Sequence, residues 1–257
     1  MQDLKVSLVQ SELQWESPVD NRAHFTQLLR AQETSADLYV LPEMFTTGFS
    51  MNALANAEAP QGDTYQWLQA MAVELNAAVA GSVAIRDGGA VFNRLLFATP
   101  DNVYHYDKRH LFRMAGEHKR YAAGAERVIV EWRQWRIKLE VCYDLRFPVF
   151  SRNRQDYDLL LYVANWPARR SLHWRALLPA RAIENLACVV GVNRVGADAN
   201  GLDYSGDSLA ISASGETLLD MQNRQGIESA TFVAKDLLQW RESFPAHLDA
   251  DSFTLSS

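Results

Sequence analysis

The sequence contains three reactive side chains that each follow a short apolar, strand-like run. These side chains are Glu43, Lys108 and Cys142. Functional groups of α/β proteins usually lie at strand ends. A carboxylate in an apolar neighbourhood can act as a base, a lysine can stabilise a developing oxyanion, and a thiolate is a nucleophile. Together, these three groups supply the parts needed for acyl transfer.

Each of these residues, taken alone, also has a more ordinary interpretation. A loop carboxylate such as Glu43 is usually solvated, Lys108 fits a basic surface patch, and a cysteine such as Cys142 is by default a buried structural thiol. Cys188 lies in the apolar run 186–192 and is interpreted as such a structural thiol. The acyl-transfer hypothesis therefore depends on the three residues occurring together and in order.

The histidines do not indicate a metal centre. His105, His110 and His118 lack the spacing of metal ligands, and no carboxylate accompanies them in a recognisable ligand motif. The sequence therefore predicts no metal site.

The elements that must position these groups alternate between strand-like and helix-like segments. Strands are predicted over 5–10, 37–41, 78–85, 91–98, 103–107, 128–132, 136–141, 159–163, 187–194, 206–211 and 226–233. Helices are predicted over 19–31, from an N-cap at Asp63 through Leu75, over 171–185 and over 236–240. The charged segment 108–127 is predicted to be a long loop. Strands separated by helices indicate an α/β fold, and roughly a dozen strands require two packed sheets.

Composition narrows the class of function. The 257 residues are 48% hydrophobic and 22% charged, which is typical of a globular protein with a sizeable core. A net charge of −6 disfavours binding to nucleic acid, and no apolar run approaches the ~20 residues that cross a bilayer. The N-terminus shows no signal peptide, and the two cysteines form no C-x-x-C pair. We therefore expect a cytoplasmic protein without nucleic-acid or membrane partners.

Three motifs make the chain resemble a known family. Leu41–Phe45, Asp107–Phe112 and Val141–Pro148 resemble, in this order, the three signature segments of the nitrilase (carbon–nitrogen hydrolase) superfamily. The similarity extends from the Lys5 strand to Ser208. The resemblance implies a four-layer α-β-β-α sandwich, a single domain over 1–257, a homodimer or higher homo-oligomer, and no cofactor.

The resemblance also implies roles for residues of the site. Glu43 would be the general base, Lys108 would stabilise the tetrahedral intermediate, and Cys142 would be the nucleophile. The backbone N–H of Tyr143 would be a second oxyanion donor. A second glutamate of the family corresponds to Glu117, for which an ordinary exposed acid is the alternative.

Two further residues are candidates for substrate binding. Arg146 could bind a substrate carboxylate with its planar guanidinium, or form a structural ion pair with Asp144 or Glu184. Trp166 could line the pocket or pack in the core. Both possibilities remain open for each residue at this stage.

The pattern of the whole chain most resembles the omega-amidase branch, which acts on 2-oxoglutaramate and 2-oxosuccinamate. The segments that carry this resemblance are 41–49, 165–167, 181–185, 204–208 and 244–251. It implies hydrolysis of a small carboxylated amide through a cysteine thioester. The alternatives are a carbamoyl-amino-acid hydrolase, a short-chain amidase, a nitrilase, or a non-catalytic binding module on the same fold.

Overall fold

A computed structural model describes residues 1–255, in which two six-stranded sheets pack against each other. In chain order the strands are β1 (Leu4–Gln10), β2 (Leu38–Val40), β3 (Ala78–Asp87), β4 (Ala90–Ala98), β5 (Val103–Asp107), β6 (Ile129–Trp132), β7 (Trp135–Val141), β8 (Leu159–Ala164), β9 (Cys188–Asn193), β10 (Val195–Ala197), β11 (Asp203–Ser205), β12 (Leu209–Ile211), β13 (Thr217–Asp220) and β14 (Gly226–Phe232). The α-helices are α1 (Pro18–Arg30), α2 (Ala53–Asn56), α3 (Asp63–Leu75), α4 (Pro148–Ser151), α5 (Ser171–Asn185) and α6 (Ala234–Ser243). Short 3₁₀ turns cover Arg113–Ala115, Glu117–Lys119, Cys142–Arg146, Ala168–Arg170 and Ala246–Asp249.

The strand order is similar in the two sheets. The first sheet runs β14-β1-β2-β3-β4-β5 and the second runs β13-β12-β9-β8-β7-β6. In each sheet three strands are parallel, β1-β2-β3 and β7-β8-β9, and the flanking strands are antiparallel. The carboxyl ends of parallel strands meet at one edge of a sheet, where ligands commonly bind. Glu43 follows β2 and Cys142 follows β7 at such edges.

Apolar side chains on both faces of the sheets create four layers. Between the sheets, residues such as Leu8 and Val40 of the first pack with Leu139 and Leu161 of the second. On the outer face of the first sheet lie α1 and α3, whose apolar sides share a core with β2 and β3. The helix α5 covers β8, β9 and β12 of the second sheet. The predicted α-β-β-α sandwich is thus confirmed.

Several predicted details were wrong. The N-cap of α3 is Gly62 rather than Asp63, and the Glu58 carboxylate accepts the free N–H of Thr64 at 2.7 Å in that first turn. The strand predicted over 206–211 begins only at Leu209, because Gly206 and Asp207 have positive φ angles of 72° and 58°. Five short elements were not predicted: α2, α4, β10, β11 and β13.

Within residues 1–255, no helix combines the length and the apolar character that a membrane span requires.

Candidate active site

Cys142 lies at a sharp turn between a strand and a 3₁₀ helix. β7 ends at Val141, and Cys142 itself has φ +46°, a left-handed conformation that is strained for a residue with a Cβ. Asp144 stabilises the turn, since its Oδ2 accepts the Val141 N–H at 2.9 Å and the Tyr106 hydroxyl at 2.8 Å. The turn carries the thiol out of the sheet, where it is partly exposed.

Lys108 follows β5 directly and is fully buried. Its Nζ lies 2.9 Å from Oε1 of Glu43, and 3.0 and 3.1 Å from the two carboxylate oxygens of Glu117. A buried ammonium is tolerated when it is paired and hydrogen-bonded in this way. The surface-patch interpretation of Lys108 was therefore wrong.

Glu43 follows β2 and Pro42 and is also fully buried. Its Oε2 accepts the backbone N–H of Asn165 at 2.7 Å, and its backbone carbonyl accepts the Asn165 side-chain amide. Cys142 Sγ lies 3.9 Å from the carbonyl oxygen of the same Asn165. The carboxylate is thus held beside the thiol by Asn165, the residue that directly follows β8.

Glu117 begins a 3₁₀ turn in the segment that was predicted to be a loop. It is fully buried, which contradicts the alternative of an exposed acid. Besides the two contacts with Lys108, its carboxylate accepts the backbone N–H of Phe112. Burial raises the pKa of the Glu117 carboxyl, and the positive charge of Lys108 acts in the opposite direction.

The sequence did not reveal Asn93 as a member of this group. Asn93 lies on β4, fully buried, and its Nδ2 donates to Glu43 Oε1 at 2.8 Å and to Glu117 Oε1 at 3.2 Å. The only signal was a polar residue inside the apolar strand 91–98, which is compatible with many structural roles. Asn93 keeps the two carboxylates side by side around Lys108.

Burial and charge together set the protonation of the group. Burial by itself would lower the pKa of Lys108, but the charges of Glu117 and Glu43 outweigh it and raise that pKa. Burial and then the charge of Glu43 raise the pKa of the Cys142 thiol well above its usual value, although Lys108 acts in the opposite direction. Both directions favour the neutral thiol and the charged ammonium ion.

Beside this group lies a cavity of about 220 Å³. Cys142, Lys108, Tyr143 and the two predicted substrate-binding residues, Arg146 and Trp166, all line it. Trp166 is only 3% exposed and also packs on Trp174, so both interpretations of this residue hold. The ring of Tyr143 packs on Phe112 and Phe147, while its backbone N–H directly follows the thiol.

The alternative of a structural ion pair for Arg146 was wrong. Asp144 interacts with His110 at 2.7 Å, and Glu184 pairs with Arg181 at 3.0 Å. Arg146 instead lies over the ring of Trp166, with its guanidinium carbon 4.7 Å from the ring centroid. Because Trp166 also lines the cavity, this contact keeps the Arg146 guanidinium at the cavity wall.

Cys188 is 4% exposed and packs in the core between the sheets. Burial raises its pKa to about 12, which makes this thiol unreactive at neutral pH. The structure thus agrees with the structural role predicted for it.

Comparisons with known proteins identify the class. The family model "Carbon-nitrogen hydrolase" matches residues 5–242, so the chain belongs to the carbon–nitrogen hydrolase family. The family expected from the three motifs is thereby confirmed.

Two curated relatives match nearly the whole chain. The omega-amidase YafV of Escherichia coli K12 is 53% identical over 257 residues, which cover 99% of this chain and 100% of that protein. The 2-oxoglutaramate amidase of Bacillus subtilis is 32% identical over 250 residues, which cover 95% and 96%. The predicted similarity to omega-amidases is confirmed.

A solved structure supports the fold at high similarity. A carbon–nitrogen hydrolase superfamily protein of Xanthomonas campestris, which carries an arsenic adduct in its active site, superimposes with a TM-score of 0.97. It is 49% identical, and the match covers 100% of both chains.

Proposed function

We propose that this enzyme hydrolyses the terminal amide of 2-oxoglutaramate or 2-oxosuccinamate to the acid and ammonia, through a thioester on Cys142. The observation that carries the proposal is the buried group of Glu43, Lys108 and Glu117, in which Lys108 lines the same cavity as the Cys142 thiol. The names of the omega-amidase and 2-oxoglutaramate amidase relatives support the choice of substrates.

In the first step, Glu43 is the general base that takes the thiol proton as sulfur attacks the amide carbon. The raised pKa of Cys142, due to burial and then to Glu43, means that the thiol needs a base at neutral pH. Asn165 and Asn93 hold the Glu43 carboxylate from two sides, at 2.7 and 2.8 Å. A base fixed in this way loses little free energy to reorganisation during proton transfer.

The attack creates a tetrahedral intermediate with a negatively charged oxygen. The Lys108 ammonium and the backbone N–H of Tyr143 stabilise this oxyanion. Lys108 remains charged because Glu117 and Glu43 together outweigh the effect of its burial on the pKa. Glu117 is a positioning residue that orients Lys108 through contacts of 3.0 and 3.1 Å.

The intermediate collapses when protonated Glu43 donates its proton to the leaving nitrogen. The carbon–nitrogen bond breaks, ammonia leaves, and an acyl thioester remains on Cys142. A water molecule, deprotonated by Glu43, then attacks the thioester carbonyl; the carbon–sulfur bond breaks, and protonated Glu43 returns the proton to the sulfur, which restores the thiol and releases the acid. The same carboxylate therefore acts first as a base and then as an acid in each of the two half-reactions.

Arg146 binds the substrate carboxylate in this proposal. Its guanidinium lies over Trp166, which holds the planar fork in one orientation at the cavity wall. Trp166 supports Arg146 and forms part of the apolar wall beside the substrate chain.

The test is ammonia release from a panel of amides, with Cys142→Ala in parallel. The panel contains 2-oxoglutaramate, 2-oxosuccinamate, glutamine, asparagine, carbamoyl-β-alanine, a short aliphatic amide and a nitrile. We expect release from the two oxo-amides, abolished in Cys142→Ala. If only a different compound on the panel is hydrolysed, the proposed catalytic group stands and the substrate assignment is refuted. Activity in Cys142→Ala would refute Cys142 as the nucleophile.

The proposal extends to the organisation of the protein. A single domain over 1–257 is supported by the family match to 5–242, and a cytoplasmic location by the two free thiols. A homodimer or higher homo-oligomer is supported by exposed apolar side chains such as Leu172 and Ile183 on α5, and Leu238 on α6. Light scattering at micromolar concentration would test the assembly, and a monomer mass would refute it.

A further inference from the structure

Three arginines line the cavity beside the thiol. Arg146 ends the 3₁₀ turn that begins at Cys142, while Arg169 and Arg170 end the 3₁₀ turn that precedes α5. The cavity therefore receives cationic side chains from two elements, on the strand edges that follow β7 and β8.

The described part of the chain offers these arginines no carboxylate partner. Arg146 donates to Nδ1 of His173 at 3.0 Å, and Arg170 lies over the Phe112 ring at 5.2 Å. Within residues 1–255, none of the three forms an ion pair with an acid, although Arg175, which lies further along α5, pairs with two aspartates. Uncompensated cations around a cavity favour an anionic ligand.

The arginines also act on one another. Burial, followed by the charges of Arg169 and Arg146, lowers the pKa of Arg170, but an arginine still carries its charge at neutral pH. Arg170, Arg146 and Cys142 line the same cavity of about 220 Å³, so one small anionic amide bound there faces both cations and the thiol.

Trp166 links the two best-placed arginines. Its ring supports Arg146, and its Nε1 donates to the backbone carbonyl of Arg170 at 2.8 Å. Arg170 is held on its other side by the Phe112 ring, whereas Arg169 is exposed to solvent. Stacked guanidinium groups are pre-organised, and screening by solvent weakens an exposed one.

We propose that Arg170 is a second carboxylate-binding residue, which together with Arg146 selects amides that carry a carboxylate over neutral amides. The inference rests on the proposed function, since it names a residue that binds the carboxylate end of the proposed substrate, away from Cys142. Two guanidinium groups from different elements would neutralise the substrate carboxylate and also fix its position.

The experiment compares ammonia release from 2-oxoglutaramate and from its methyl ester, which lacks the charge. In Arg170→Gln we expect kcat/KM for the anion to fall about 10- to 100-fold, mainly through KM, because a hydrogen bond to a charged group is lost. The ester should change by less than about twofold, since it does not use this charge. Arg170→Lys should lie between wild type and Arg170→Gln.

The matched control is Arg154→Gln. Arg154 is exposed and stacks on an aromatic ring, Phe253, at the same 5.2 Å, but it lies outside the cavity. We expect wild-type kinetics with both substrates. Equal losses on the anion and the ester in Arg170→Gln would indicate a structural role and overturn the proposal, as would unchanged kinetics.

Binding of glutarate, measured by calorimetry, tests Arg170 without turnover. We expect Arg170→Gln to raise the Kd at least about tenfold and Arg154→Gln to leave it unchanged. If the wild type binds glutarate but releases no ammonia from the oxo-amides, the proposed function fails while the assignment of Arg170 stands. Absence of glutarate binding to wild type, or equal Kd in Arg170→Gln, would overturn the assignment.

Discussion

The Glu117→Gln substitution should make the Cys142 thiol easier to ionise and yet slow hydrolysis. Burial is the largest cause of the raised pKa of Cys142, and the negative charges of Glu43 and Glu117 add to it. Glutamine removes one of these charges, so the pKa of Cys142 should fall. It also weakens the contact that orients Lys108, and the oxyanion in the transition state needs this ammonium in place.

The size of the kinetic effect follows from the contacts of Lys108. Its Nζ lies 3.0 and 3.1 Å from the two carboxylate oxygens of Glu117, and glutamine can keep only one of these acceptors. The loss of one charge-assisted hydrogen bond costs about 1.5–3 kcal/mol. If this loss falls on the transition state, kcat should decrease by roughly 10- to 150-fold.

Two assays on the same variant separate the effects. Alkylation of Cys142 by iodoacetamide follows the thiolate, so its rate-versus-pH curve should move to lower pH in Glu117→Gln. Ammonia release from 2-oxoglutaramate should fall as calculated. Glu126→Gln, an exposed residue of the same segment, is the control and should match wild type in both assays. An unchanged alkylation curve, or faster hydrolysis, would refute this account of Glu117.

Three further outcomes follow from single contacts. Asn93→Ala removes the donor shared by two buried carboxylates, so kcat should fall about 10- to 100-fold with little change in KM in steady-state assays. In Gly124→Ala the new Cβ would lie 2.1 Å from the Asp107 carbonyl oxygen, so the backbone next to the site must move; calorimetry should show a lower Tm, with a cost of about 1–3 kcal/mol. Burial would raise the pKa of Asp158, but hydrogen bonds from Arg136 and Arg241 outweigh it and lower that pKa. The ionised carboxylate therefore stabilises the fold at pH values above its unfolded pKa of about 3.9. In urea unfolding at pH 7, Asp158→Asn should therefore have a lower free energy of unfolding than wild type. This difference should disappear as the pH falls through the lowered pKa of the folded state, and a difference independent of pH would contradict the reasoning.

Elements with a strong local pattern could be predicted from the sequence. α5 occupies Ser171–Asn185, the range expected from its helical spacing, and β5 occupies Val103–Asp107 as expected. By contrast, β10 and β11 have three residues each, too few for a periodic pattern. These two strands pair only with each other, in a small antiparallel sheet, and their composition does not indicate this pairing.

The reactive groups were found because they lie within motifs, whereas their partners depend on distant contacts. Asn93 bonds a carboxylate 50 residues away, and Asn165 bonds Glu43 across 122 residues. No local pattern carries this information. Arg170 was not singled out, because the chain has many arginines and no motif distinguishes this one. Only the fold shows which arginines have a carboxylate partner among the described residues and which do not.

The proposed catalytic groups are divided between the two sheets. Glu43, Asn93 and Lys108 belong to the first, and Cys142 and Asn165 belong to the second. The hydrogen bond from Asn165 N–H to Glu43, at 2.7 Å, crosses this division. The distance between base and thiol is therefore set by how the apolar faces of the sheets pack. Since packed cores resist displacement, the packing that forms the fold also holds the two buried carboxylates and the buried ammonium in place beside the partly exposed thiol.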